Sequence, residues 1–310
     1  MTLDPAPLYD DVALGPQGGR AYWLSCDDGT RIRMAIWPLS DAKGTVLMFP
    51  GRTEYIEKYG RLAEDFAAAG LAMITIDWRG QGLSDRPLPQ RDIGYVESFA
   101  EYQQDVAALK AALADMEEAP KPWHLLAHSM GGAIGLRALY DGLDVSGVAF
   151  TAPMWGIAMS PISRIFARFL QFAARPLRID RRFAPSTGPA KPMDFSDNRL
   201  TTDREQFLYM ENQTQTYPDL ALGGPSIRWL TEALAETAAL MEMPAPPKPA
   251  LNLIGTEEKI VVVPVARRRM STWPGGELLM IDGAEHEVLM EAPDKRGPAL
   301  AKVIAWFDAQ

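Results

Sequence analysis

Trp123-His-Leu-Leu-Ala-His-Ser-Met-Gly-Gly132 decides the fold. An apolar strand-like run passes directly into a helical pattern, and Ser129 stands at the junction. A sharp strand-to-helix turn holds a serine in a strained conformation and lifts its hydroxyl out of the sheet, provided that small residues flank it. Gly131 and Gly132 supply small residues after the serine, whereas Ala127 adds one methyl where glycine is usual before it. Taken alone, the same serine also suits a plain helix N-cap. The strand-to-helix context favours the nucleophile.

The surrounding pattern agrees with that context. Thr45–Phe49, Leu71–Ile76 and Gly147–Thr151 are short apolar runs, and they alternate with helical spacing over about Tyr55–Ala69, Phe99–Met116 and Ser129–Asp141. Such alternation predicts a mostly parallel α/β sheet with helices on both faces. Ala21–Asp28 and Arg31–Leu39, separated by Gly29-Thr30, read as an opening hairpin. Two further strands, Ala250–Ile254 and Glu277–Ile281, come after a long gap, and a closing helix spans about Pro293–Phe307. The expected organisation is a core of residues 1–152 and 243–310 carrying a mainly helical cap insertion, 153–242. The last helix of the insertion, Ile227–Met241, rejoins the core, and the prolines of 243–249 form the return linker.

A serine nucleophile needs a base, and the chain has three histidines. His124 lies inside a strand, and His128, next to the serine, projects away from its hydroxyl. His286 remains, in a glycine-containing loop after the last strand, where it can swing over the carboxyl edge of the sheet. The order serine, acid, histidine asks for a carboxylate after the preceding strand, and Glu257 or Glu258 meets that requirement. An oxyanion needs backbone N–H donors. Met130, next after the serine, offers one, and the Pro50-Gly51-Arg52 loop offers the other through Arg52.

Bulk properties narrow the class. A net charge of −9 excludes the broad basic footprint of a nucleic-acid binder, so no nucleic-acid partner is expected. Cys26 is the single cysteine, which precludes an intrachain disulfide and fits a cytoplasmic location. Met1–Leu14 has three aspartates and no basic start, unlike a signal peptide. No run approaches the ~20 apolar residues of a spanning helix.

Five segments together resemble a known family. Phe49-Pro-Gly-Arg-Thr-Glu-Tyr55, Asp77-Trp-Arg-Gly-Gln-Gly-Leu-Ser84, His128-Ser-Met-Gly-Gly132, Gly255-Thr-Glu-Glu-Lys-Ile-Val261 and Gly283-Ala-Glu-His-Glu287 look like the α/β-hydrolase branch of bacterial lysophospholipases and monoacylglycerol lipases. The resemblance implies an α/β-hydrolase fold, a Ser129, Glu258, His286 triad, and no metal or organic cofactor. The family's acid falls three residues after the glycine, which here is Glu258 in place of the usual aspartate. Pro50 stands where many relatives have histidine, which looks more like the lysophospholipase side of the branch.

The implied reaction is hydrolysis of a lipid-like monoester through an acyl-serine, with a lysophospholipid as the leading substrate and a monoacylglycerol or a simpler carboxylic ester as the alternative. Peptidase or thioesterase chemistry on the same scaffold, and a non-catalytic binding protein, are the rival readings. In the insertion, Ile162, Ile165, Phe166 and Phe169 share one helical face. From Met154 to Met193, Arg164, Arg168, Arg175, Arg178, Arg181, Arg182 and Lys191 stand against Asp180 alone. Either this helix packs its apolar side on the core and shows arginines to water, or it docks peripherally on an anionic membrane, at the inner face. Arg52, Trp155, Phe166 and Phe169 are the candidate substrate contacts. Arg52 would hold a phosphate or pair with Glu54.

Overall fold

The computed structural model describes residues 3–310. Its strands are β1 (Asp4–Ala6), β2 (Arg20–Ser25), β3 (Arg31–Trp37), β4 (Thr45–Phe49), β5 (Ala72–Asp77), β6 (Trp123–His128), β7 (Gly147–Thr151), β8 (Leu251–Gly255) and β9 (Glu277–Ile281). They form one sheet in the order β1-β2-β3-β5-β4-β6-β7-β8-β9. The first three strands and β5 pair antiparallel, and every pairing from β5 through β4 to β9 is parallel. The helices are α1 (Asp10–Ala13), α2 (Gly60–Ala68), α3 (Tyr102–Ala114), α4 (Met130–Tyr140), α5 (Pro161–Ala173), α6 (Arg204–Thr216), α7 (Ile227–Glu242), α8 (Val263–Ser271) and α9 (Pro293–Asp308).

A parallel strand covered on both faces has no solvent side, so it reads as a continuous apolar run. Thus β4 and β7 are buried at every residue, and β6 at every residue but its first. One face is covered by α3, α4, α7 and α8 through side chains such as Leu109, Ile134, Trp229 and Met270. The other is covered by α2 and α9 through Leu62, Phe66, Val303 and Phe307. This is the α/β-hydrolase architecture. It places β6 mid-sheet between β4 and β7, with the β4 and β6 carboxyl ends side by side.

Between β7 and β8 the described chain contains α5, α6, α7 and short 3-10 turns, with no strand. The helix α7 packs on α4 and on α5, and its Trp229 indole N–H donates to the Tyr102 hydroxyl at 3.0 Å. The helix α6 rests on α1 and the turn 56–59, where Tyr209 donates to the Ala13 carbonyl at 2.6 Å.

On α5 the structure inverts one of the two expectations. Only Ala167 and Leu170 are buried, while Ile162, Ile165, Phe166, Phe169 and Phe172 face solvent. The broad apolar face points outward and a narrow stripe does the packing, so the helix does not lay its apolar side on the core.

Candidate active site

The site begins with backbone strain. Ser129 sits at φ 48° and ψ −116°, in the positive-φ region that costs a residue with a Cβ. Parallel pairing of β6 with both neighbours fixes the approach, and the Ser129 N–H donates to the Thr151 carbonyl at 3.0 Å. The helix α4 leaves the turn so close to the sheet that a Cβ on Gly131 would stand 2.1 Å from the Phe49 carbonyl oxygen. Ala127 is accommodated because α4 presents Gly135 to it: a Cβ there would approach the Ala127 methyl to 3.2 Å. The methyl gained at one position is thus offset by a glycine one turn further along.

His286 lies in the loop after β9, buried beside the elbow. Its Nδ1 is 2.6 Å from Glu258 Oε2. The other Glu258 oxygen accepts the Ile260 and Val261 N–H groups at 2.5 and 3.0 Å, so the longer side chain is anchored at both oxygens. Burial alone would raise the Glu258 carboxyl, but the His286 hydrogen bond and charge, with the two backbone donors, outweigh it and hold it below its ordinary value. Glu257, the other open choice from the sequence, is exposed.

Backbone donors follow from elimination within the loop after β4. The Gly51 N–H is taken by the Glu54 carboxylate and the Thr53 N–H by Gln81 Oε1 at 3.1 Å. Among the described residues no acceptor takes the Arg52 N–H, nor that of Met130 in the first turn of α4. Two residues that sequence reasoning gave no role brace this loop. Trp78 donates to the Pro50 carbonyl at 2.9 Å and Gln81 Nε2 to the Gly51 carbonyl at 3.0 Å. Both belong to the Asp77–Ser84 segment, whose signal was the resemblance alone.

A cavity of about 660 Å³ opens onto these groups, lined by Ser129, His286 and Arg52 and walled by Met154, Ile157, Leu222, Trp229, Leu230 and Val261. It suits an apolar chain with a polar end. The half-buried Arg52 guanidinium packs against Gly223 and the Trp229 ring, and its burial, only partly opposed by Tyr102, lowers it to about 10. It has no carboxylate partner among the described residues. Glu54 turns instead to Lys58 at 2.6 Å and to the Tyr59 hydroxyl.

Three expected contacts need correction. Trp155 is fully buried, donates its indole N–H to the Gly132 carbonyl at 3.2 Å and stacks on Trp273. It supports the elbow from behind and does not line the cavity. Phe166 and Phe169 lie on the outward face of α5, 47% and 60% exposed, and also stand outside the cavity lining. Pocket walls come instead from α6, α7, the loops between α5, α6 and α7, and the loops after β7 and β8, and the loops have no periodic signal to mark them.

A strained serine between strand and helix, a histidine tied to a carboxylate, and this sheet define a serine hydrolase of the α/β-hydrolase fold. The chain belongs to the family described as serine aminopeptidase, S33, which matches residues 40–293. It is similar to lysophospholipase L2 of Escherichia coli strain K12, 34% identical over 85% of this chain and 80% of that one. A probable lysophospholipase L2 of Haemophilus influenzae is 28% identical over 90% of this chain and 88% of its own. Among solved structures, a soluble variant of monoglyceride lipase from Saccharomyces cerevisiae superposes with a TM-score of 0.74 at 20% identity, covering 93% of this chain and 94% of that one. No helix among the described residues is long and apolar enough to cross a membrane.

Proposed function

We propose that the chain hydrolyses the acyl ester of a single-chain lipid, with a lysophospholipid as its main substrate. Ser129 attacks the ester carbonyl while His286 takes its proton, and Glu258 holds the imidazole and stabilises the imidazolium. The Arg52 and Met130 N–H groups receive the oxyanion. His286 then protonates the departing glycerol oxygen, and a water activated by the same imidazole releases the fatty acid from the acyl-serine.

The observation that carries the choice of lysophospholipid is Arg52. A half-buried guanidinium without a counter-charge, on the loop that receives the oxyanion, is an unfavourable arrangement until an anion reaches it. A phosphate a few bonds from the scissile carbonyl meets that need, and a neutral monoacylglycerol does not. The similarity to lysophospholipase L2 supports the same choice. Replacing Arg52 with Met should lower kcat/KM on lysophosphatidylethanolamine at least tenfold more than on a monoacylglycerol of equal chain length; equal losses would dismiss the phosphate role.

The residues 153–242 act in this reading as a cap that meets the membrane. The outward apolar face of α5 is flanked by exposed Arg164, Arg168, Arg175 and Arg178, a pattern that lies flat on an anionic bilayer. Lipid substrate then enters from the surface on which the cap rests.

A further inference from the structure

We propose that Glu54, Lys58, His128 and Glu287 form a charge-balanced positioning cluster that sets the pH at which His286 becomes an effective base. The proposal rests on the reading of His286 as the base. All four residues are buried and come from the segment after β4, the end of β6 and the loop after β9. Lys58 Nζ lies 2.6 Å from Glu54 Oε1 and 2.5 Å from Glu287 Oε1, so its ammonium fills the position a metal cation would take between the two carboxylates. The second Glu54 oxygen accepts from the Gly51 N–H and the Tyr59 hydroxyl. The cluster therefore grips the oxyanion loop at one end and, through Glu287, the neighbour of His286 at the other.

His128 closes the charge count. Its Nδ1 is 2.9 Å from the Thr151 hydroxyl and 3.1 Å from the Thr151 carbonyl oxygen; the carbonyl only accepts, and a proton on Nδ1 is the arrangement that satisfies both. Its Nε2 faces Glu287 Oε1 at 3.2 Å and Glu54 Oε1 at 3.5 Å, off the line of a hydrogen bond but within ion-pair distance. Two carboxylates at that range favour a proton there too. Burial opposes the charge on His128, yet Glu287 and Glu54 outweigh it and raise the imidazole. Burial likewise opposes the charge on Glu287, and His128 and Lys58 outweigh it and hold that carboxyl well below its usual range. Two positive and two negative charges then sum to zero.

The His128 and His286 ring centroids are 4.8 Å apart. His286 is faced by Glu258 through Nδ1, by the His128 ring, by its neighbour Glu287 and by Ser129 across the cavity, while Glu285 turns to Lys259. A neutral cluster leaves Glu258 as the dominant charge on the imidazole. Removing one cluster cation leaves a net negative charge beside His286, which favours its protonated form and delays its action as a base to higher pH.

The test is the acid limb of kcat/KM for a soluble short-chain ester. Loss of all limb in the wild type, or full activity in His286→Ala, would sink the base reading and leave the cluster out of account. Given that limb, Lys58→Gln should move it upward by about half a pH unit or more, and adding Glu287→Gln should return it toward the wild-type position, because the cluster is neutral again. An unmoved limb in the single variant, or a double variant displaced as far as the single, overturns the proposal. Should Lys58→Gln fail to fold, His128→Asn with and without Glu287→Gln makes the same comparison. In the wild type, NMR titration of the three histidines should show His128 still charged where activity has reached its plateau. A His128 that loses its proton along the activity limb contradicts the cluster.

Discussion

At the scale of single residues, the proposed chemistry could be read wherever it depended on backbone strain and chain order. Ser129 and His286 follow from a strand-to-helix junction and from the position of one histidine among three. Glu258 did not follow from the residues alone, because Glu257 satisfies the same spacing; the structure separates them by burial and by the 2.6 Å bond to Nδ1. Glu258 also spends its second oxygen on the Ile260 and Val261 N–H groups, so its length is matched to two anchors. Glu258→Asp, one methylene shorter, cannot keep both. It should lower kcat about tenfold to a hundredfold with little change in KM, a loss that steady-state kinetics would register; activity near the wild-type value would mean that the loop adjusts and that the anchoring is incidental. Because Glu258 is held below its ordinary value, it stays ionised at neutral pH, and activity should rise from acid toward neutral pH, as the pH dependence of kcat/KM would show.

At the scale of elements, periodicity found β2 to β9 and most long helices but missed β1 and α6, and it did not show which face of a helix is free. The spacing of Ile162, Ile165, Phe166 and Phe169 identifies one side of α5 and says nothing of its neighbour. The packing against α7 is made through Leu170 and Ala174 on Ile227, and the broader apolar face is left outside. The helix α8 escaped notice because Val263, Pro264 and Val265 open it, and β-branched residues with a proline read poorly as helix. Its proline sits in the first turn, where a missing N–H costs nothing. The outward face of α5 carries a prediction. Ile165→Ser with Phe169→Ser should cut co-sedimentation with vesicles rich in anionic lipid several-fold, while leaving turnover of a soluble short-chain ester unchanged. Binding that is indifferent to these substitutions, to anionic lipid content and to salt would rule out membrane docking through this helix.

At the scale of the whole molecule, the buried parallel strands announce the fold, whereas the charges inside it are invisible in sequence. Arg33 is fully buried in bonds to Glu57 at 2.7 Å and Asp77 at 2.7 Å, tying β3 to the segment that leads into α2 and to the end of β5. Partners that lie 24 and 44 residues away cannot be paired by any local pattern. The same holds for His124, set aside as a strand residue. Its ring stacks on Phe307 of α9, and burial lowers it to about 4 from 6.5. The neutral form is thus the one the fold holds, so its contribution is present above about pH 6.5 and is lost as pH falls toward 4. Thermal midpoints should decline over that window, and His124→Phe should flatten part of the decline; an unchanged slope would assign acid sensitivity to other groups. These charges and strands together place one strained serine and one histidine on the same cavity, and that the two act as a pair is the central claim. Intact-mass analysis after reaction with a fluorophosphonate tests it most directly. The wild type should gain one phosphonyl group, located on Ser129 by peptide mapping, with none on Ser129→Ala and slow labelling of His286→Ala. An unlabelled wild type, or a label that persists in Ser129→Ala, would contradict it.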